Sequence, residues 1–255
     1  MIYDVIEAAK EAGELIRNKF RTEVEINFKS NETDLVTEVD KASEKIILEN
    51  IRKKYPSHEI LAEESGETKT GSEFRWVIDP IDGTTNFAHG LPIFSVSIGV
   101  QKNGETIIGV IYDVMQDIVY SCEKGSGSFA NGNKISVSSN ENLRRGVLVT
   151  GFPYNIASNP ENALEKFVAL TKSARGIRRL GSAAIDLCYV AKGVFDGFWE
   201  LFLNPWDICA GILLVEEAGG MVTDFFGNKI DIFSKRILAS NGKIHKSILE
   251  VLNNN

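Results

Sequence analysis

The stretch Val77-Ile78-Asp79-Pro80-Ile81-Asp82-Gly83-Thr84-Thr85-Asn86-Phe87 concentrates the chemistry of this chain at the end of an apolar strand. Asp79 ends that strand, Pro80 stiffens the turn, and Asp82 follows three residues after Asp79. Two carboxylates on one tight turn are costly to ionise together unless a cation lies between them. Oxygen ligands without His or Cys favour Mg²⁺ or Mn²⁺ over zinc. The turn therefore indicates a divalent cation site, although alone it is also typical of a solvated turn with a helix cap.

The residues that follow the two aspartates suit an anionic ligand. Gly83 lets a ligand come close to the backbone, and Thr84 offers a hydroxyl group. A helix that begins at Gly83-Thr84 has free N–H groups at its start, and such groups bind phosphate. The sequence thus predicts a cation and a phosphate side by side.

Three other acidic segments are candidates for the same site. Glu63-Glu64-Ser65 ends a short predicted strand, and Asp207 lies in the first turn of an apolar helix after Pro205-Trp206. Thr37 and Asp40 have the spacing of a capping box at the start of a helix. Each segment alone also fits an ordinary structural role: a solvated turn, an acid near a helix N-terminus, or a cap. A cap is compatible with catalysis because it holds its acid rigidly.

The first half of the chain reads as helices on a mostly antiparallel sheet. Apolar residues at helical spacing predict helices over 2–20 and 37–54. Strands are predicted over 59–62, 75–79, 94–101, 106–112 and 118–122. The dipeptides Asn103-Gly104 and Asn131-Gly132 are typical of hairpin turns. We therefore expect an α+β domain over residues 1–140.

The second half alternates strands with helices, which is typical of an α/β arrangement. Strands are predicted over 147–150, 195–200, 221–224 and 237–240. Helices are predicted over 160–173, 182–192 and 206–218 and from about 243, the first beginning at Pro160 and the second capped by Ser182. The polar run over 138–142 separates this half from the first. We therefore assign a second domain over residues 141–255.

Composition narrows the functional class. Lys plus Arg number 28 and Asp plus Glu number 35, so the formal charge of −7 argues against a general nucleic-acid binder. The longest apolar stretch, residues 208–215, is far too short to span a bilayer, and the N-terminus has no signal pattern. Three irregularly spaced cysteines predict buried free thiols in a reducing cytoplasm.

The combined motifs resemble the inositol monophosphatase family, within the superfamily of Mg²⁺-dependent, lithium-sensitive sugar phosphatases. Both signatures, D-P-I-D-G-T-T-N-F and W-D-x-x-A-G, are complete and in the family's order. The resemblance implies a layered α-β-α-β-α sandwich of the sugar-phosphatase type and a homodimer. The segment over 65–78 is short, as in bacterial and archaeal members, which leaves the substrate range open.

The resemblance also implies a ligand set for two to three Mg²⁺ ions. The first would be held by Glu63, Asp79 and the carbonyl of Ile81. The second would lie between Asp79, Asp82 and Asp207, and a third, weaker site would use Glu63 and water. The catalytic side chains implied are Asp40, Thr84 and Glu63, with Thr84 and Asp40 orienting and deprotonating the attacking water.

Substrate contacts follow from the same resemblance. The implied residues are Asp82, Gly83, Thr84, Gly181, Ser182, Ala183, Glu200, Asp207 and Lys29. Simpler roles exist for three of them: Ser182 is an ordinary helix cap, Glu200 a solvated strand end, and Lys29 a surface lysine.

Two arginines just before Gly181 suggest a second phosphate subsite. If residues 177–180 form a strand, Arg178 and Arg179 point to opposite faces, so that only one can face the substrate. Arginine binds phosphate bidentately, and Tyr154 could assist it. Two purely structural arginines are the alternative.

The sequence therefore predicts a Mg²⁺-dependent phosphomonoesterase that acts on inositol 1-phosphate and related polyol phosphates by attack of metal-activated water. Metal ions suit phosphoryl transfer because positioning and charge neutralisation supply most of the catalysis. A fructose-1,6-bisphosphatase, a dual enzyme, or a nucleotide 3′-phosphatase are alternatives. A non-catalytic regulatory protein on this fold would be expected to lack one of the acids, and none is missing.

Overall fold

A computed structural model of the protein describes residues 1–24, 26–28 and 35–254, and in that part of the chain it contains seven α-helices and fifteen strands. The helices are α1 Ile2–Lys19, α2 Glu38–Lys54, α3 Thr84–Ala88, α4 Ala163–Ser173, α5 Ala183–Ala191, α6 Pro205–Glu217 and α7 His245–Asn253. The strands are β1 Ile26–Phe28, β2 Leu35–Thr37, β3 Glu59–Ala62, β4 Gly66–Thr68, β5 Phe74–Asp82, β6 Ser95–Lys102, β7 Glu105–Asp113, β8 Ile118–Glu123, β9 Gly127–Ala130, β10 Asn133–Ile135, β11 Val147–Thr150, β12 Gly176–Arg178, β13 Gly197–Leu201, β14 Met221–Thr223 and β15 Arg236–Ser240.

Eight strands of the first half form one sheet, in the order β10-β9-β8-β7-β6-β5-β3-β4. Only the β3–β5 pair is parallel, which confirms the mostly antiparallel expectation. The β6–β7 hairpin turns at Asn103-Gly104, where both residues have positive φ. Asparagine and glycine tolerate this conformation, so the dipeptide fixes the register of the two strands.

The second sheet has five strands in the order β12-β11-β13-β15-β14. Strand β11 pairs in parallel with β12 and β13, whereas β15 pairs antiparallel with β13 and β14. Helices α1 and α2 cover one face of the first sheet, α5 and α6 lie between the sheets, and α4 and α7 lie outside the second. The predicted α-β-α-β-α sandwich is confirmed.

Residues 208–215 of helix α6 are all apolar because the helix lies between two sheets. It approaches the first sheet at two glycines. A Cβ on Gly99 would lie 2.4 Å from Cys209 Sγ, and one on Gly109 would lie 2.7 Å from the Ala210 carbonyl oxygen. Only residues without a side chain allow this approach. Cys209 is buried there, and Cys122 and Cys188 are also buried free thiols, as predicted.

Two predicted elements are wrong in their bounds. Pro160–Asn162 is a separate 3₁₀ turn, and α4 begins only at Ala163, because Glu161 has the positive φ of 53° that breaks a helix. The strand expected over 177–180 ends at Arg178, so Arg179 lies beyond it. Lys29, a predicted substrate contact, lies outside the described residues.

The division into two domains stays a prediction. The proposed boundary near residue 140 falls between the last strand of the first sheet, Asn133–Ile135, and the first strand of the second, Val147–Thr150. However, α6 comes from the second half and packs on β5, β6 and β7 of the first. Within the described ranges, no helix combines the length and apolar character that crossing a bilayer requires.

His245, at the start of α7, gives a prediction for the pH dependence of stability. Its Nε2 lies 2.9 Å from Thr223 Oγ1 and its Nδ1 lies 2.8 Å from Ser240 Oγ, and the residue is buried. Burial lowers the pKa of His245 to about 4, below the ordinary value of about 6.5. The unfolded chain therefore takes up the proton first, so this contribution to stability is complete above pH 6.5 and is lost as the pH falls toward 4.

We expect the loss between pH 7 and 4.5 to be roughly 2–3 kcal/mol, since one pKa unit is worth about 1.36 kcal/mol. Urea unfolding of wild type and His245→Gln across this range measures it, and the variant should show the flatter curve. His89→Gln, at an exposed histidine, is the matched control. Identical pH slopes for wild type and His245→Gln would contradict the assignment.

Candidate active site

Strand β5 brings two aspartates to the same cleft through a local irregularity. Asp79 pairs with Ser97 and Asp82 with Ser95, so the pairing register shifts between them. In a regular strand, residues three apart point to opposite faces, and a bulge corrects this. Both Asp79 and Asp82 are buried and line one cleft.

The backbone after Asp82 turns sharply at Gly83, which has a φ of 100° and precedes α3. A Cβ on Gly83 would lie 3.0 Å from the Ile93 carbonyl oxygen and 3.2 Å from that of Gly181. Glycine is therefore required both by the left-handed backbone and by space. The predicted helix start at Thr84 is confirmed, although α3 has only five residues.

Asp40 and Thr84 form a buried hydrogen-bonded pair. Thr84 Oγ1 lies 2.8 Å from Asp40 Oδ1 and 3.0 Å from the Ile81 carbonyl oxygen. The other oxygen, Oδ2, accepts from Thr37 N at 2.8 Å and from Thr37 Oγ1 at 2.6 Å, which confirms the capping box. Asp40 is fully buried behind Thr84, and burial raises its pKa. Among the described contacts, the Thr84 hydroxyl is therefore the group that connects the Asp40 carboxyl to the cleft.

One face of α2 also anchors both acidic turns. Ser43 Oγ donates to the Pro80 carbonyl at 3.0 Å, and Glu44 Oε2 accepts from Glu64 N at 2.8 Å. Both anchoring side chains are buried. The turn that carries Asp79 and the turn that carries Glu63 are thus fixed to the same helix.

Asp207 and Asp82 approach each other from the two halves of the chain. Asp207 Oδ2 accepts from Asn204 N at 2.7 Å in a capping box at the start of α6. Asp82 Oδ2 accepts from Ser182 Oγ at 2.5 Å and from Ala184 N at 2.8 Å at the start of α5. Burial raises the pKa of Asp82 to about 6, against the effect of these bonds. Burial and then the charge of Asp82 raise the pKa of Asp207 well above its usual range.

The cleft has a volume of about 490 Å³ and lies between the ends of β5, β13, α5 and α6. Predicted residues that line it are Glu63, Asp79, Ile81, Asp82, Gly83, Thr84, Tyr154, Arg179, Gly181, Ser182, Ala183, Glu200 and Asp207. Arg178 is not among them, because its Nη1 folds back to donate to the Ile177 carbonyl. A larger groove of about 950 Å³ between α4 and α7 has mixed surface charges and no converging acids at its floor.

Glu200 lies on β13 and lines the cleft, and its carboxyl packs directly on the Gly151 backbone. A Cβ on Gly151 would lie 2.2 Å from Glu200 Oε1, so only glycine leaves room. Burial raises the pKa of Glu200 to about 8, which the charge of Arg179 opposes. Arg179 lines the cleft, although the strand on which its orientation was argued ends at Arg178.

Several residues that line the cleft were not predicted, and three of them matter for its chemistry or shape. Asp186 follows Ser182 by one helical turn, and that i, i+4 spacing was the available signal. Gly151 gave no signal because its role depends on Glu200, 49 residues away in sequence. Phe202 lines the cleft and has a positive φ of 62°, and no pattern in the sequence predicts this backbone conformation.

The donor set fits a hard divalent cation. Glu63, Asp79, Asp82 and Asp207 supply carboxylate oxygens around one cleft, and such oxygens suit Mg²⁺ or Mn²⁺. Burial, and then the charges of neighbouring acids, raise the pKa of Asp207, and a cation among these acids would relieve the repulsion between them. Across residues 1–24, 26–28 and 35–254, no group of three or more His, Cys, Asp or Glu side chains has the arrangement of a metal site.

Comparisons with known proteins identify the family of the chain. The whole chain, residues 1–255, matches the model of the inositol monophosphatase family. An inositol-1-monophosphatase from Synechocystis sp. is 43% identical over 247 residues, which cover 96% of this chain and 86% of the relative. Nus factor SuhB from Escherichia coli is 42% identical over 252 residues, which cover 98% and 94%. The crystal structure of the extragenic suppressor protein suhB from Bartonella henselae superposes with a TM-score of 0.94 at 38% identity, over 99% and 98% of the two chains.

The family model matches the whole chain, and these relatives match nearly all of it at 38–43% identity. The chain belongs to the inositol monophosphatase family and is a phosphatase of that family.

Proposed function

We propose that this protein is a Mg²⁺-dependent phosphomonoesterase that hydrolyses inositol 1-phosphate and related small polyol and sugar phosphates. The observation that carries the proposal is the convergence of acids from both halves of the chain. Asp79 and Asp82 come from β5 and Asp207 comes from α6, and all three meet beside the Asp40–Thr84 pair. Residues from both halves of the chain therefore contribute to one site.

The acids and one backbone carbonyl would hold the cation. These groups are Glu63, Asp79, Asp82, Asp207 and the Ile81 carbonyl, for two to three Mg²⁺ ions with Mn²⁺ as a substitute. When bound, divalent cations neutralise charge on the attacking and leaving oxygens of an in-line displacement.

The remaining chemistry falls to side chains and backbone of this chain. The N–H groups of Gly83 and Thr84 bind a phosphate oxygen at the start of α3. Thr84 Oγ1 accepts a proton from the attacking water while its own proton passes to Asp40 Oδ1, 2.8 Å away. Asp40 can hold that proton because burial raises its pKa. Glu200 binds hydroxyl groups of the leaving alcohol, and the backbone over 181–183 contacts its ring.

A phosphate-release assay tests the proposal. Four substrates suffice: inositol 1-phosphate, fructose 1,6-bisphosphate, a nucleoside 3′-phosphate and glycerol 2-phosphate. We expect release with Mg²⁺ or Mn²⁺, none in excess chelator, and the highest specificity constant for inositol 1-phosphate. No release from any substrate with either metal would instead favour a regulatory binding protein on this fold.

Further parts of the proposal rest on the family resemblance. Li⁺ would compete with Mg²⁺ for the position between Asp82 and Asp207. The protein would act as a homodimer in the cytoplasm, and Lys29 stays a predicted substrate contact. These properties do not depend on whether Arg179 binds a second phosphate.

Hydrolysis of fructose 1,6-bisphosphate is a second candidate activity, favoured by the position of Arg179. Arg179 → Ala should lower the specificity constant for the bisphosphate by about 10- to 150-fold, because a hydrogen bond to a charged group is worth about 1.5–3 kcal/mol. The constant for inositol 1-phosphate should stay near wild type. Arg178→Ala is the matched control, since its guanidinium contacts its own strand. A wild type that ignores the bisphosphate, or equal effects of both variants, would contradict the subsite.

A further inference from the structure

Asp186 is a buried acid in the cleft wall that the mechanism above does not use. It lies on α5 one turn after Ser182, whose hydroxyl holds Asp82. Only 1% of the residue is exposed, yet it lines the cleft together with Glu200 and Arg179. Asp186 therefore belongs to the wall of the same cleft as Glu200.

The carboxyl of Asp186 is not satisfied within the protein. In the described part of the chain, Asp186 Oδ1 is buried and has no hydrogen-bond partner. Leaving such a group unpaired costs about 1–3 kcal/mol, and more for a charged one. An unpaired buried acid that lies against a ligand cleft is explained if the missing partner belongs to the ligand.

The neighbours of Asp186 indicate which chemistry that partner has. Burial raises the pKa of Asp186 well above its usual range, and the charges of Glu200 and Asp82 add to the effect. Glu200 is fixed in place by the backbone of Gly151. Asp186 and Glu200 line the same cleft, and two carboxyl groups can together bind the hydroxyl groups of one ligand, each oxygen accepting and a protonated one also donating. Neighbouring hydroxyls of a polyol offer that combination of donors and acceptors.

We propose that Asp186 is a specificity-determining residue that, together with Glu200, binds two neighbouring hydroxyl groups of the leaving alcohol. The inference rests on the proposed function and narrows its substrate class to phosphate monoesters of alcohols that carry a vicinal diol. Asp186 contributes to binding of the alcohol and not to the attack on phosphorus.

The test compares inositol 1-phosphate with 4-nitrophenyl phosphate, whose ring carries no hydroxyl group. Asp186→Ala should lower kcat/KM for inositol 1-phosphate by about 10- to 100-fold, the range for a lost hydrogen bond to a charged group, mainly through KM. The value for 4-nitrophenyl phosphate should change less than about threefold. Asp186→Asn should recover most of the loss, because an amide also donates and accepts. The Mg²⁺ concentration for half-maximal activity should not move.

Asp113→Ala is the matched control. Asp113 is equally buried with an unpartnered Oδ2, but it lies at the end of β7 outside the cleft lining. It should leave the ratio of the two substrates unchanged. Equal losses on both substrates for Asp186→Ala, no loss at all, or a shift in Mg²⁺ dependence would each overturn the inference.

Activity of the wild type on the two substrates distinguishes failure of the proposed function from failure of this inference. Wild type that releases no phosphate from either substrate contradicts the phosphatase assignment. Wild type that hydrolyses only 4-nitrophenyl phosphate keeps the phosphatase but overturns the diol-binding role.

Discussion

Asp207→Asn is expected to lower turnover by at least about 10³-fold, and Asp79→Asn and Asp82→Asn by similar factors. Each replaces a carboxylate proposed to hold the cation, which removes several kcal/mol of charge stabilisation from the transition state. The measurement is single-turnover and steady-state phosphate release from inositol 1-phosphate at saturating Mg²⁺.

The same variants should fold at least as well as wild type. Burial and then the charge of Asp82 raise the pKa of Asp207, so removing one of these charges relieves repulsion in the cleft. Asp196→Asn is the matched control, because Asp196 is buried outside the cleft and accepts from Ser138 Oγ and Val147 N. That variant should lose thermal stability and keep turnover. Near-normal turnover of Asp82→Asn would falsify its assignment to the cation.

Thr84→Ala is expected to cause the second large loss of turnover. Turnover should fall by about 10²–10⁴-fold, the usual contribution of a positioned proton-transfer group, with little change in KM. The reason is geometric: Thr84 Oγ1 is the only link described between the cleft and Asp40, which is fully buried. Rapid-quench measurement of the chemical step separates this loss from product release.

Thr84→Ser serves as the control because it keeps the hydroxyl and removes only a methyl group. It should retain much of the wild-type rate. If the Ala and Ser variants are equally active, Thr84 contributes to the start of α3 and not to proton transfer.

Local patterns were enough to place most of the fold. β3 and β11 have the predicted bounds, and α1 and α2 differ from prediction by one residue at most. The reason is that each has an uninterrupted apolar pattern ended by a strong signal, such as Tyr55-Pro56 after α2. The short strands β4, β9 and β10 were not predicted, because three or four residues carry too little pattern.

The site was only partly visible in the sequence. The acids of the two signatures could be named, and the capping box of Thr37 and Asp40 could be read from spacing alone. Asp186 was missed although its i, i+4 spacing from Ser182 was a signal, and Gly151 could not be found, because it matters through Glu200, a neighbour that only the folded chain supplies. The catalytic and binding roles of all these residues stay predictions until the variants are measured.

The close contact of α6 with the first sheet has a consequence for mutational tolerance. Gly99 and Gly109 touch α6 directly, and a Cβ on Gly211 would lie 2.4 Å from Leu187 Cδ1 on α5. None of these glycines reaches the cleft, yet each fixes how deeply α6 sits, and α6 begins with Asp207. A library screened for activity should therefore reject alanine at these core positions almost as strictly as changes in the acids. Laboratory evolution toward new alcohols has most freedom at the cleft mouth, around Phe202 and Tyr154, where side chains are exposed.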